Sequence, residues 1–243
     1  MPSASSVLGN LLPNAGIWKR NSGAFAKAPI LRSINDPSYG IYFYDDFTHL
    51  PTGKYTVTQA TTGTFTISPS LAGGIALADC ASSTATQGVN VQLADVFARP
   101  IAGTTLYFEA KVKATDIGTG PEFFLGLASA DTTIIATSAN SSTNHIGWQS
   151  VTDDNVLLFS AENSGTGATK ASTTLVEDTW VTLGFKVNGI TDVEHYVDGV
   201  KQSTTHVTAN IPVTGLAPSL VCQSNGTTDP IVQIDYWRVL QTK

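Results

Sequence analysis

Charge is scarce in these 243 residues: only 13% are Asp, Glu, Lys or Arg, about half the usual share of roughly 25%. That argues against long solvated helices and for a neutral, hydroxyl-rich surface of strands and turns. The little charge present is unevenly placed. Through Gly40 there are four cations (Lys19, Arg20, Lys27, Arg32) and one carboxylate (Asp36), a net +3; the remainder carries nine cations and eighteen carboxylates, a net −9. An acidic body without clustered cations excludes a nucleic-acid partner. No window approaches the ~18 apolar residues of a membrane span, so no membrane is expected. "MPSASSVLGN" has no charged start and no continuous apolar run, and does not read as a secretory signal. Two cysteines, Cys80 and Cys222, are too few for a disulfide scaffold. Both lie in apolar, strand-like runs; buried free thiols are expected, with a bridge as the alternative.

A period of two dominates after Gly40. "TTLYFEAKVKA" places Leu106, Phe108, Ala110 and Val112 on one face and Tyr107, Glu109, Lys111 and Lys113 on the other. "WVTLGFKV" does the same with Val181, Leu183, Phe185 and Val187. In "IVQIDYWRVL" uninterrupted alternation groups Val232, Ile234, Tyr236 and Arg238 against Ile231, Gln233, Asp235, Trp237 and Val239. Each pattern describes a strand with one face in a core. Asp198-Gly199 supplies the positive φ angles of a two-residue hairpin turn. Further strands are expected over 41–47, 55–58, 64–67, 74–80, 89–93, 122–129, 145–149, 156–161 and 216–222, and the glycine-rich "SGTGAT" is expected to be a loop. No helical run of ten residues is expected, and a short turn of helix fits around Ser6 to Leu12. The closing strand is expected to return beside the first. These features predict an all-β sandwich of two antiparallel sheets over residues 41–243, preceded by an extended arm over residues 1–40, with turn chemistry at "SINDPSYG" as the boundary.

Taken in order, "YFYDDF", "LYFEAKVKATDIGTGPEFFLGLAS", "HIGWQSVTDDNVLLFSAENSG", "VEDTWVTLGFKVNG", "VEHYVDGVKQ" and "VQIDYWRV" resemble the concanavalin A-like jelly roll, the lectin, glucanase and laminin-G-like fold. The flavour is similar to small structural proteins of tailed bacteriophages. The resemblance covers residues 41 to 241 and implies a fold rather than a function, since the family includes lectins, glycoside hydrolases, lyases and structural modules.

Candidate chemistry is thin. Glycoside hydrolysis needs two carboxylates across one bond, and hydrolases of this fold align them on one strand as Glu-x-Asp-x-Glu. That pattern is missing: Glu109 is followed by Lys111 and Lys113, and the adjacent Asp45 and Asp46 point to opposite faces. No catalytic residue is therefore expected. There is no Gly-x-Ser-x-Gly elbow. The four histidines have no partner at i+2 or i+4, so no metal or other cofactor is expected; Asp153, Asp154 and Asn155 are the one weak Ca²⁺ candidate. Glycan stacking is open to Trp148 and Tyr196, with core packing as the alternative for the tryptophan.

The leader holds Val7, Leu8, Leu11, Leu12, Ile17, Trp18, Phe25, Ile30 and Leu31, too apolar for a free tail and too broken for its own core. It reads as an anchoring arm, with Trp18 and Phe25 as apolar anchors and Lys19, Arg20, Lys27 and Arg32 setting register on an acidic protein surface. The alternative is that it packs back onto its own sandwich. The resemblance and the arm together imply a non-enzymatic virion protein: a capsid decoration or cement protein bound to the major capsid protein or another virion protein, a homo-oligomer with a trimer as one form, assembled in the host cytoplasm and located on the capsid surface. The alternative is a lectin-like adhesion module of a phage tail or fibre.

Overall fold

The computed structural model describes residues 23–26, 28–71, 73–118, 120–136, 139–150 and 155–243. Among these residues a short helix, α1 (Ile30–Asn35), precedes seventeen strands. They are β1 (Gly40–Asp45), β2 (Tyr55–Ala60), β3 (Thr64–Ile67), β4 (Ala76–Asp79), β5 (Gly88–Leu93), β6 (Thr105–Thr115), β7 (Glu122–Ala128), β8 (Ile135–Ala136) and β9 (Ala139–Asn140). There follow β10 (Asn144–Ser150), β11 (Val156–Asn163), β12 (Thr166–Thr174), β13 (Val181–Asn188), β14 (Asp192–Val197), β15 (Val200–Val207), β16 (Ala217–Gln223) and β17 (Ile231–Thr242). The first sheet runs β15-β14-β13-β6-β17-β4-β3, with β1 also on β17; the second runs β12-β11-β10-β7-β16-β5-β2. Strands β8 and β9 form a separate small hairpin. Every pairing is antiparallel, and the apolar face of each sheet meets in one shared core. Among the described residues no helix is long and apolar enough to cross a membrane.

Most expected strands are present within one to three residues of their limits. Asp198 (φ 47°) and Gly199 (φ 81°) turn the chain between β14 and β15 as anticipated. "SGTGAT" is not all loop. Ser164 (φ 51°) and Gly165 (φ 81°) make a second tight turn, and β12 starts directly after it. Two adjacent positive φ angles let the chain reverse at once, so the small residues that look like a loop enter a strand.

The last strand departs from simple alternation. Ile234 pairs with Val112 and Tyr236 with Lys111, leaving Asp235 as an extra residue. This bulge inverts the faces beyond it. Val232 and Ile234 point into the core, and so do Trp237 and Val239, whereas Tyr236 and Arg238 face outward. The Asp235 carboxylate, re-aimed, accepts from Lys111 Nζ at 2.7 Å.

Trp237 closes one end of the core with Phe47, Tyr55 and Phe65, their ring centroids 5.5 to 6.2 Å apart. Phe47 reaches this cluster through φ 53°, a conformation unfavourable for a bulky residue. Asp45 holds it there. Its carboxylate accepts from the Phe47 amide (2.9 Å), from Lys54 Nζ (2.6 Å) and from the Tyr55 hydroxyl. Burial and the Asp45 contact raise the Tyr55 phenol far above its ordinary range.

The described part of the leader lies on the outer face of the first sheet. Ala24, Phe25 and Ile30 are buried with Tyr107 and Leu240. Phe25 stands 5.5 Å from the Tyr107 ring, with the Arg238 guanidinium 4.2 Å above it. Phe25 thus lies on the molecule's own sheet and is not open to a partner. Arg32 is stacked on the Tyr39 ring at 3.9 Å. Helix α1 ends where Asp36 accepts from the amide and hydroxyl of Ser38, the turn expected from Asn-Asp-Pro. The turn of helix expected around Ser6 to Leu12 lies outside the described residues.

At the opposite end of the core Trp148, Phe159, Phe185 and two histidines pack together. His195 stacks on Phe159 at 4.4 Å, and His206 stands 5.3 Å from the same ring. Both imidazoles are essentially inaccessible to solvent. Burial lowers His195 from 6.5 to about 4, helped by the charge of His206; burial, with the charge of Lys170, lowers His206 to about 4.

Two predictions follow from this packing. Asp45→Ala removes the group that holds Phe47 in place and leaves Lys54 unpaired, and is expected to cost about 3 kcal/mol in urea unfolding; a loss under about 1 kcal/mol would show that the aromatic cluster alone fixes the turn. The second concerns pH. The unfolded chain takes up protons on both rings below 6.5 while the folded chain resists to about 4, so stability is fully present above 6.5 and falls through that window. The expected slope is about 1.4 kcal/mol per pH unit per ring. His195→Phe should lower it by one ring's share, leaving those of His206 and of His145, a third buried histidine held down to about 4, and an unchanged slope in denaturation between pH 7 and 4.5 would assign it to other groups.

Candidate functional site

The outer face of the second sheet is built by strict alternation on five neighbouring strands. Phe123, Leu125 and Leu127 of β7 enter the core, so Phe124, Gly126 and Ala128 face out. On β10 Ile146 and Trp148 go in, and His145, Gly147 and Gln149 go out. Register aligns these into rows. Gly126 lies opposite Gly147, then Ser160 on one side and Ser219 and Gln92 on the other. The paired glycines are a steric requirement. A Cβ at Gly126 would stand 2.3 Å from the Ile146 carbonyl oxygen, and one at Gly147 would stand 2.6 Å from that of Leu125. The middle of the face is therefore bare main chain.

The connection between β7 and β10 crosses this face and is fastened to it. Ile134 and Ile135 pack on Phe124, Ala128 and Val221. Gln92 Nε2 donates to the Ser129 carbonyl (3.0 Å) and to Ser219 Oγ (2.8 Å), and its Oε1 accepts from the Asp131 amide (3.0 Å). Asn90 Nδ2 donates to the Asp131 carbonyl at 2.9 Å, and Asn140 Nδ2 donates to Gln149 Oε1 at 2.7 Å. Most amide side chains of the face are thus committed to the chain's own loop.

Under the loop sits a pairing that residue spacing did not signal. His145 Nε2 is 2.7 Å from Ser160 Oγ, and Nδ1 is 2.8 Å from the Ser142 carbonyl oxygen. A carbonyl only accepts, so Nδ1 carries the proton and Nε2 accepts from the serine hydroxyl. Burial lowers His145 to about 4, against the opposing effect of the Ser142 carbonyl. Both side chains are buried, and neither lines the two clefts that flank the loop. The geometry is that of a structural hydrogen bond rather than of a nucleophile facing substrate.

A cleft lies on each side of the Asp131–Ile135 stretch of the loop. The larger, about 400 Å³, is lined by Thr56, Gln92, Asp95, Val96, Asp131 and Thr132 among others, and by no lysine, arginine or aromatic side chain among the described residues. The smaller, about 250 Å³, lies between Thr58, Asn90, Thr133, Val221 and Gln223. Both mix hydroxyls and amides with apolar side chains, Leu93 and Val96 in the larger and Ile134, Ile135 and Val221 in the smaller, and the larger adds two carboxylates.

The residues singled out from sequence do not converge here. Trp148, a glycan-stacking candidate, is 0% exposed and packs edge-on against Phe159 at 5.1 Å; alternation turns its neighbours Gly147 and Gln149 outward instead, and the ring is a core residue. Tyr196 lies on the outer face of the other sheet, half-buried beside the Phe25 cluster, donating to Glu194 at 2.8 Å. Asp153 and Asp154 lie outside the described residues, and Asn155 donates to the Gly118 carbonyl at 3.4 Å. Among the described residues no three His, Cys, Asp or Glu side chains form a metal-binding group. Trp18, Lys19, Arg20 and Lys27 also lie outside the described residues. Glu109 is buried, accepting from Tyr236 (2.7 Å) and Arg238 (2.8 Å). The cleft residues Thr56, Gln92, Asp95 and Asp131 were not singled out. Only Gln92 left a trace in the sequence, as one of the two polar positions, with Asn90, that alternate with apolar ones in "VNVQL".

No protein-family model matches this sequence, and neither does any curated protein sequence. Solved structures do match. Peanut lectin, determined with a nine-residue peptide, superposes with a TM-score of 0.59 at 15% identity over 84% of this chain and 97% of its own. An endo-1,3-β-glucanase from Streptomyces sioyaensis gives 0.56 at 16% identity, covering 85% and 98%. A protein of unknown function from Shewanella oneidensis MR-1 gives 0.57 at 15%, covering 84% and 87%. Lectins and enzymes stand side by side in this group, so the likeness does not decide between them. The chain has the concanavalin A-like jelly-roll fold.

Proposed function

We propose that this protein is a non-catalytic binding module that takes a neutral saccharide in the larger cleft of the second sheet. The observation that carries this reading is the cleft's mixed lining: the hydroxyls of Thr56 and Thr132 and the carboxylates of Asp95 and Asp131 stand beside apolar Leu93, Val96 and three alanines, with no cation among the described residues. Sugar hydroxyls donate well to carboxylates, and Asp95 and Asp131 would repel uronates, sulfates and phosphates. The glucanase chemistry known on this fold needs acids in alternation. The outward positions of β7 hold Glu122, Phe124, Gly126 and Ala128, and those of β10 hold His145, Gly147 and Gln149, so no second acid alternates with Glu122 on these two strands.

A panel of neutral oligosaccharides, set beside uronate-containing ones, tests this. The expected result is millimolar or tighter binding of a neutral sugar, weakened at least tenfold by Asp131→Asn with an unchanged melting temperature, and no shortening of β-glucan chains on incubation. Absence of binding across the panel would end the saccharide reading, and chain shortening would end the non-catalytic one.

A second reading rests on the leader. Its sequence is basic and apolar, with Trp18, Lys19 and Arg20 just ahead of the segment that docks on the first sheet. An arm of that composition suits an acidic, lattice-like protein surface. In this reading the protein is a virion structural component, a decoration protein on a phage capsid that self-associates there. Deleting residues 1–22 is expected to leave the melting temperature within about 2 °C and to abolish co-sedimentation with capsids. Equal co-sedimentation of the shortened and full chains would remove this reading.

A further inference from the structure

Cys80 and Cys222, the chain's two cysteines, lie 142 positions apart. Cys80 directly follows β4 in the first sheet, and Cys222 lies in β16 of the second. Both are 0% exposed, and both point into the core between the sheets. Their sulfurs are 3.2 Å apart. That is closer than two unbonded sulfurs ordinarily pack, and about 1 Å longer than a disulfide bond. The Cys222 sulfur is also 3.4 Å from the Pro230 carbonyl oxygen, which leaves it room on that side only for a weak hydrogen bond. No residue need move between sheets for the sulfurs to join.

We propose that Cys80 and Cys222 are an oxidation site: a pair that closes into a single inter-sheet disulfide in the presence of a small-molecule disulfide such as oxidised glutathione. One cysteine thiolate attacks the glutathione disulfide, releasing one glutathione thiol and forming a mixed disulfide. The second cysteine then displaces the remaining glutathione. The two cysteine sulfurs are oxidised, the glutathione disulfide is reduced, and two glutathione thiols leave with the two protons. The hydrogen bond between the sulfurs, together with burial, raises the Cys80 thiol far above its ordinary range, so the folded pair reacts poorly. The bridge closes while the chain is folding, when both thiols reach solvent. Once formed, it ties the first sheet to the second across most of the chain and removes closure entropy from the unfolded state.

The full chain, unfolded in urea and refolded either with oxidised glutathione or with dithiothreitol, tests this. Oxidative refolding is expected to give a monomer lighter by two hydrogen atoms, with no alkylation by iodoacetamide after denaturation. Its melting temperature is expected to lie about 10 °C above that of the reduced chain. The variant C80A/C222A should melt at one temperature under both conditions, and the mass measurement on the native sequence stands whether or not that variant folds. Two alkylated cysteines after oxidative refolding, a disulfide-linked dimer, or a bridged monomer melting no higher than the reduced one would each overturn the proposal.

Discussion

The first sheet depends on its last strand being paired along both edges. Strand β17 lies against β6 over nearly its whole length, and its other edge is shared, with β4 taking Ile231 to Ile234 and β1 taking Trp237 to Thr242. The chain's first and last strands are thereby neighbours, and the sheet has no free edge at its centre. One extra residue at Asp235 makes this arrangement compatible with a single core. Without the bulge, Trp237 would face outward and Arg238 inward, and an unpaired guanidinium in the core would cost several kcal/mol. With it, Trp237 anchors the aromatic cluster to which Asp45 delivers Phe47, and Arg238 meets Glu109 outside.

The two outer faces are covered by the chain itself, in different ways. On the first sheet the turn at 23–26 and helix α1 bury Phe25 and Ile30 over Tyr107 and Leu240, and shield the Glu109–Arg238 pair from water. The cover there is mainly apolar. On the second sheet the β7–β10 connection is held by side-chain amides reaching main-chain groups of the loop, with Ile134 and Ile135 as apolar plugs. A cover fastened by discrete hydrogen bonds leaves gaps beside it, and the clefts lie in those gaps. The two clefts flank that loop on its two sides. Cys80 and Cys222 sit between the two sheets, where neither cover reaches.

How much was legible follows from the range of each interaction. Strand periodicity is local, and β6, β13 and the β14–β15 turn could be read directly from "LYFEAKV", "VTLGFKV" and Asp198-Gly199. The bulge at Asp235 was not, because it arises from pairing with β6 rather than from any preference of "QIDYW". Trp148 illustrates the same limit. A tryptophan between glycine and glutamine suits either face of a strand, and only the sheet's partner determined that it packs inward on Phe159 and His195. Strand β12 was hidden because its small residues resemble a loop.

The sequence by itself determined the all-β class, the two-sheet sandwich, and the absence of an alternating acid motif for hydrolysis, since each depends on residue order over a few positions. Only the tertiary structure decided that Phe25 returns to its own sheet, that Asp45 holds a strained phenylalanine, that the amides of the second sheet bind their own loop, and that two distant thiols touch. The reason is physical. These contacts join residues that are distant along the chain or on different elements, and which of them meet is set by the packing of one sheet on the other.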